Sequence, residues 1–113
     1  MYEPAHFRLD NQIAVVTGAG AGIGRAIAET FAAAGAAVVV SDLHLQTATT
    51  VAQGIQERGG QAMAVACDVT REEDLDNLID QTIQRFGRLT ALVSNAGGGG
   101  PKPFNMPMQD FRR

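Results

Sequence analysis

The sequence has no tryptophan, one tyrosine and one cysteine among 113 residues. Because the single cysteine, Cys67, has no partner for an internal disulfide, we expect a protein of the reducing cytoplasm. No apolar run approaches the roughly 20 residues that a membrane-spanning helix needs, and the first residues form no signal-peptide pattern. The net charge is −3 and no basic run is present, which argues against nucleic acid or an anionic membrane surface as the main partner.

Residue types that carry catalysis are equally scarce. The two histidines, His6 and His44, lack the spacing of metal ligands. Cys67 has no neighbouring histidine to activate it, so we expect a small buried apolar residue and no nucleophile. The acidic residues between positions 72 and 80 predict a solvated helix face and no catalytic cluster.

Four apolar runs predict strands, at Ile13–Thr17, Ala37–Ser41, Ala62–Ala66 and Ala91–Ser94. None of them alternates with polar residues, which is typical of parallel strands that are covered on both faces. Helical patterns fill the three gaps, so the order is βαβαβαβ and the crossovers should be right-handed. We therefore expect a single α/β domain without an internal linker.

The helical patterns have recognisable faces and ends. Ile23, Ile27 and Phe31 recur every four residues and predict one face of the first helix. The stretch Thr70–Glu73 has the pattern of a capping box and predicts the start of the third helix. Each helical pattern is followed by a glycine that suits a left-handed terminal position; these are Gly35, Gly59 and Gly87.

The most informative motif is the stretch Thr17–Gly24, T-G-A-G-A-G-I-G, between the first strand and the first helix. A glycine-rich turn lets the backbone come within contact distance of a phosphate, and it aims free helix N–H groups and the positive dipole end at that anion. The motif therefore predicts a dinucleotide site. The alternative is that the glycines serve only the turn and its packing.

Polar residues close the other three predicted strands. Asp42 closes the second, 18 residues after Gly24, where a carboxylate can accept hydrogen bonds from an adenosine ribose. Asp68 and Asn95 follow the third and fourth strands, at the sheet edge where open α/β folds bind ligands. Each of these residues also has a structural alternative. Asp42 could be an ordinary strand-end residue or a helix N-cap, and Asp68 could cap the third helix, although Thr70 fits that cap better. Asn95 could bridge two strand ends through its side chain.

Asp42 also predicts NAD as the cofactor in preference to NADP. Its carboxylate would face the 2′-phosphate of NADP with a like charge. No arginine or lysine lies in the turn before Gly22 to offset this repulsion, and Arg25, just after the turn, is the one residue that could soften the preference.

The glycine stretch, Asp68-Val69 and Asn95-Ala96-Gly97 together resemble the short-chain dehydrogenase/reductase family. The resemblance extends from about Arg8 to Arg113, with Ser94 where the family usually has a second asparagine. It implies an NAD-dependent oxidoreductase whose parent protein is a homo-oligomer. It also implies half of a Rossmann-type sheet, with parallel strand order 3-2-1-4 and helices on both faces.

The same resemblance implies a role for each site residue. The residues implied at the pyrophosphate and the nearby ribose are Gly18, Gly22, Ile23 and Gly24. Asp68 would accept a hydrogen bond from the adenine amino group, and Val69 would pack on the adenine. Asn95, Ala96 and Gly97 would run along the cofactor toward the nicotinamide ribose.

Within this family, the segment Gly97–Phe104 and the residues that follow it are similar to bacterial hydroxysteroid dehydrogenases that oxidise the 7-alpha hydroxyl of bile acids. This similarity implies a steroid alcohol as the substrate. The alternatives are another short-chain reductase, such as a 3-oxoacyl-carrier-protein reductase, an NAD-binding module without turnover, or a misfolded remnant.

In this family the proton-transfer group is a tyrosine four residues before a lysine. The only tyrosine here is Tyr2 and the only lysine is Lys102, so no catalytic residue can be named. We therefore expect the chain to be the amino-terminal part of a longer protein and to be inactive on its own.

Overall fold

The computed structural model describes residues 8–95. The expectations for Ala96, Gly97 and the segment after them lie outside the described residues. Seven elements alternate along the chain: β1 (Ile13–Thr17), α1 (Gly22–Ala33), β2 (Ala37–Asp42), α2 (Leu45–Glu57), β3 (Gln61–Ala66), α3 (Glu72–Phe86) and β4 (Ala91–Ser94). Within this part of the chain, no helix is both long enough and apolar enough to cross a membrane.

The four strands form one parallel sheet in the order β3-β2-β1-β4, which confirms the predicted order. The strand β1 lies between β2 and β4, and all of its residues are buried. The bounds of β1 and β4 agree with the sequence prediction, whereas β2 extends by one residue to Asp42 and β3 begins one residue earlier, at Gln61. Asp42 pairs with Ala66 in this register, so its backbone is fixed by the sheet.

Apolar side chains pack on both faces of the sheet, because alternate residues of a strand point to opposite sides. On one face, Val16 and Val38 pack with alanine-rich sides of α1 and α2. On the other face, Val15 and Val39 form a second cluster with Leu78 of α3. Helices therefore cover both faces, as predicted, and the ends of the strands are the surfaces left for a site.

The buried face of α1 differs from the predicted one. Gly24, Ala28 and Ala32 are buried against the sheet, whereas Ile23 is 73% exposed. Ile27 and Phe31 are only partly buried at the margin of the core. The spacing of four residues was right for a helix, but the contact lies one residue further along. Small residues form this contact because they let the helix axis come close to the sheet.

The start of α3 also differs from the prediction, since the capping box does not form. Arg71 is the N-cap residue and makes no side-chain cap hydrogen bond, and α3 begins at Glu72. The Thr70 hydroxyl donates instead to Asp68 Oδ1 at 2.6 Å. All three helices end as predicted. Their terminal glycines, Gly35, Gly59 and Gly87, have φ values of 107°, 92° and 90°, in the left-handed region that favours glycine.

Candidate functional site

The ends of all four strands are tied together at the carboxyl edge of the sheet. The Ala19 N–H donates to the Ser41 carbonyl at 2.9 Å, which joins the turn after β1 to the end of β2. The Cys67 N–H donates to the Asp42 carbonyl at 2.9 Å, which joins β3 to β2. The Asn95 N–H donates to Thr17 Oγ1 at 3.0 Å, which joins β4 to β1. The predicted site residues that lie within residues 8–95 therefore share one edge.

The glycines of the turn after β1 and of the first turn of α1 are required for different reasons. Gly18 and Gly22 have φ values of 63° and 61°, a backbone conformation that residues other than glycine rarely adopt. A Cβ at Gly22 would meet no described atom within 4 Å, so the space outside it is open. A Cβ at Gly24 would lie 2.1 Å from the Gly18 carbonyl oxygen. The turn-and-packing explanation therefore holds for Gly24, while Gly22 faces space that a ligand can enter.

The amino-terminal end of α1 is prepared for an anion. Its N-cap residue, Ala21, makes no side-chain cap hydrogen bond, and the first turn contains no acidic residue. The first N–H groups of a helix have no partner within the helix, and the dipole places partial positive charge there. The end of α1 can therefore receive a phosphate through backbone N–H groups. Ile23, exposed in the same turn, flanks this position.

Asp42 ends β2 beside the glycine turn. Its Oδ2 accepts the Gly20 N–H at 2.8 Å, and its Oδ1 accepts the His44 N–H at 3.2 Å. His44 is itself the N-cap of α2, so the helix-cap alternative is wrong, whereas the strand-end alternative agrees with Asp42 as the last residue of β2. A carboxylate offers about four acceptor positions, so two amide bonds leave capacity for further hydroxyl donors.

Asp68 follows β3 and is half-buried on the same edge. Its Oδ1 accepts both the N–H of Thr70, at 3.0 Å, and the Thr70 hydroxyl, at 2.6 Å. The hydrogen bond from the Thr70 hydroxyl has the larger effect and that from the Thr70 N–H the smaller, and together they lower the pKa of Asp68 below its ordinary value. The cap of α3 is neither Asp68 nor Thr70, since Arg71 occupies the N-cap position. A second acid, Asp74, accepts the Asp68 N–H at 2.9 Å through its Oδ2 and fixes the backbone there.

Val69 lies next to Asp68 and is partly buried. It packs against the apolar cluster that contains Val65 and Leu78, under the sheet face covered by α3. This core contact was not predicted from the sequence. Contact of Val69 with an adenine stays a prediction.

Asn95 connects two strand ends, as its structural alternative predicted. Its Nδ2 donates to the Gly18 carbonyl at 3.3 Å, while its backbone N–H is accepted by Thr17 Oγ1. The Thr17 hydroxyl donates in turn to the Val93 carbonyl at 3.4 Å. From the sequence, Thr17 was placed at the start of the glycine stretch but no role was predicted for its hydroxyl, although a threonine at the end of a wholly apolar strand was a visible signal.

Two further predictions concern residues near this edge. Cys67 is only 4% exposed, and burial, with the nearby Asp74 carboxylate, raises the pKa of its thiol to about 11. The prediction of a buried, unreactive cysteine is therefore confirmed for its burial and supported for its chemistry. His44 is exposed, as predicted. No group of three or more metal-binding side chains occurs within residues 8–95.

Comparison with known proteins shows which family and which relatives this sequence resembles. The profile of a family described as short chain dehydrogenase matches residues 12–113. The chain is 56% identical over all 113 residues to 7alpha-hydroxysteroid dehydrogenase of Escherichia coli strain K12, covering 44% of that protein. The chain therefore spans less than half the length of these hydroxysteroid dehydrogenase relatives.

Solved structures show the same similarity. A crystal structure of hydroxysteroid dehydrogenase from Escherichia coli superposes with a TM-score of 0.82 at 55% identity, covering 96% of this chain and 46% of the other. A 7 alpha-hydroxysteroid dehydrogenase complexed with NADH and 7-oxo glycochenodeoxycholic acid superposes with a TM-score of 0.83 at 56% identity, covering 100% of this chain and 44% of that one.

Proposed function

The chain belongs to the short chain dehydrogenase family, and we propose that the carboxyl edge of its sheet binds NAD for an oxidoreductase reaction. The observation that carries this proposal is the pairing of two features. The amino-terminal end of α1 has no side-chain cap, and its first turn contains no acidic residue. The Asp42 carboxylate lies beside the glycine turn that precedes this helix and accepts the Gly20 N–H. A diphosphate fits the first feature and a ribose fits the second.

We assign the parts of the cofactor to the site residues that the sequence predicts. The proposed pyrophosphate contacts are Gly18, Gly22, Ile23 and Gly24, and Asp42 would accept hydrogen bonds from the adenosine ribose. Asp68 and Val69 would hold the adenine. Asn95, Ala96 and Gly97 would lead toward the nicotinamide ribose. The assignment of Asp68 is supported by its place after β3, where Thr70 fixes its carboxylate through Oδ1.

We propose NAD in preference to NADP on electrostatic grounds. Two like charges 4 Å apart repel by about 1 kcal/mol in water and about 4 kcal/mol at an effective dielectric of 20. Asp42 is half-buried, so its repulsion of a 2′-phosphate lies between these limits, roughly fivefold to several-hundred-fold in affinity. Arg25 should soften this preference less than an unpaired arginine would, because its Nε is paired with Glu29 Oε2 at 2.9 Å along the helix.

The proposed substrate is a secondary alcohol, the 7-alpha hydroxyl of a bile acid. NAD, when bound, supplies the hydride acceptor, and the residues of this chain bind and orient it. The support for a bile acid is the 56% identity to 7alpha-hydroxysteroid dehydrogenase over the whole chain. The alternative substrate is that of another short-chain reductase, such as a 3-oxoacyl-carrier-protein reductase.

We also propose that these 113 residues form the cofactor-binding part of a single domain. They hold one tyrosine and one lysine, Tyr2 and Lys102, and so no tyrosine four residues before a lysine. The 113-residue chain is therefore expected to bind NAD without oxidising an alcohol.

Titration calorimetry of the purified protein with NAD and NADP tests the cofactor assignment. NAD should bind saturably and more tightly than NADP, and Asp42→Asn should narrow this difference because it removes the charge. Asp80→Asn, the same change on an exposed residue of α3, should leave both affinities unchanged. Absence of saturable NAD binding, or tighter binding of NADP, would overturn the proposal.

Turnover tests the substrate. The protein that contains this chain together with a tyrosine–lysine pair should reduce NAD when a 7-alpha-hydroxy bile acid is added, as followed by absorbance of the reduced nicotinamide. Reduction of a 3-oxoacyl thioester, with no oxidation of the bile acid, would support the alternative reductase. A rate that copurifies with the 113-residue chain alone would contradict the expectation that it lacks the catalytic group.

A further inference from the structure

Gly20 is a glycine that the backbone of the turn does not require. Its φ lies outside the left-handed region that Gly18 and Gly22 occupy, so an alanine would meet no conformational barrier there. The obstacle is space. A Cβ at Gly20 would lie 2.8 Å from Asp42 Oδ2 and 2.6 Å from Thr47 Oγ1, closer than side-chain carbons approach oxygen atoms in proteins.

Both neighbouring oxygens are held where they are. Asp42 Oδ2 accepts the N–H of Gly20 itself at 2.8 Å, and the other carboxylate oxygen accepts the His44 N–H. The Thr47 hydroxyl donates to the His44 carbonyl at 2.9 Å in the first turn of α2. A methyl group at position 20 therefore has to displace a carboxylate or a hydroxyl that is fixed by its own hydrogen bonds.

We propose that Gly20 is a specificity-determining residue, whose missing side chain keeps the Asp42 carboxylate in place for the ribose hydroxyls. This inference rests on the proposed NAD site. A methyl group at position 20 pushes Asp42 away from the turn and breaks the Gly20–Asp42 hydrogen bond. The displaced carboxylate accepts weaker hydrogen bonds from the ribose hydroxyls of NAD, and it repels the 2′-phosphate of NADP less strongly. Gly20 therefore controls the choice between NAD and NADP through Asp42, without contributing a side chain.

The test compares two Gly→Ala variants in the purified protein. Gly20→Ala should lower the ratio of NAD to NADP affinity, measured by titration calorimetry, by at least fivefold. Gly54→Ala is the matched control, because a Cβ at Gly54 meets no described atom within 4 Å; it should leave the ratio unchanged. If Gly20→Ala does not fold, Gly20→Ala with Thr47→Ala removes one of the two obstructing oxygens and should show the same fall.

A double variant separates this role from a merely structural one. Because Gly20 acts through Asp42, Gly20→Ala should not lower the ratio further when it is added to Asp42→Asn, and the two effects should be non-additive. Equal loss of NAD and NADP affinity in Gly20→Ala, or effects that multiply in the double variant, would overturn the proposal. Failure of the unmodified protein to bind NAD would instead overturn the cofactor site itself, which is a separate outcome.

Discussion

Replacing Gly24 by alanine should destabilise the protein, although alanine is the better helix former. The position lies in α1 and is buried. A Cβ there would be 2.1 Å from the Gly18 carbonyl oxygen, 2.8 Å from the Gly18 carbonyl carbon and 2.7 Å from Asn95 Nδ2. Comfortable non-bonded separations are about 3.5 to 4.0 Å, so α1 has to move away from the turn by about 1 Å or more.

The magnitude follows from two opposing terms. Alanine in a helix interior is favoured over glycine by about 0.5 to 1 kcal/mol. Overpacking costs typically about 1 to 3 kcal/mol, and the upper end applies here because the obstructing atoms belong to the backbone. The net loss should therefore be about 2 kcal/mol, a large part of a stability of about 5 to 15 kcal/mol.

Chemical denaturation measures this loss, with Gly54→Ala as the control. Gly54 is in α2 and a Cβ there meets no described atom within 4 Å, so only the helix-propensity gain applies. Relative to the unmodified protein, Gly24→Ala should lower the unfolding free energy and Gly54→Ala should raise it. The two variants should therefore differ from each other by about 2 to 4 kcal/mol. If both raise the stability by a similar amount, the close approach of Gly24 to Gly18 is absent and the account of this turn is wrong.

Three further predictions concern single residues. Thr17→Val should cost about 1 to 3 kcal/mol of unfolding free energy in urea, because it leaves the partly buried partners of the hydroxyl, the Val93 carbonyl and the Asn95 N–H, without it, while Thr17→Ser should cost less. Gly22→Ala should cost about 1 to 2 kcal/mol from its left-handed backbone alone, since the added methyl group meets open space. The Cys67 thiol, whose pKa is raised from 9.0 to about 11, should make stability fall as pH rises between these values: the unfolded thiol ionises first, and the folded one keeps its proton. Cys67→Ala should remove that part of the pH dependence, and an unchanged slope in this variant would contradict the assignment.

The sheet was predictable because its sequence signal is continuous. The apolar runs of β1 and β4 contain no charged residue, and strands covered on both faces show this pattern. The polar residues at the strand ends were equally visible, since Asp42 and Asn95 each follow such a run directly. Parallel strands bring their carboxyl ends to one edge, so the sequence alone predicts that these residues lie together.

The contacts of α1 and α3 were not predictable in the same way. On α1, Ile23 is more apolar than Gly24, yet Gly24 is buried and Ile23 is exposed, because close packing on the sheet selects for small size. At α3, Thr70 had the pattern of a cap, but Arg71 is the N-cap residue and the Thr70 hydroxyl donates to Asp68 Oδ1. Such choices depend on competition between partners that the sequence alone does not rank.

The crowding at Gly20 shows the limit most clearly. Its two neighbours, Asp42 and Thr47, are 22 and 27 positions away in the sequence. They reach Gly20 only because β2 pairs beside β1 and α2 begins immediately after β2. A glycine in a glycine-rich turn gives no sign of whether conformation or space requires it, and only the folded arrangement separates the two reasons.

A crystal structure of the purified protein with NAD tests the central claim most directly. The account predicts the diphosphate against the backbone N–H groups at the start of α1, near Gly22 and Gly24, and the adenosine ribose hydroxyls on the Asp42 carboxylate. A dinucleotide bound away from the carboxyl edge of the sheet, or bound there with its ribose turned away from Asp42, would contradict it.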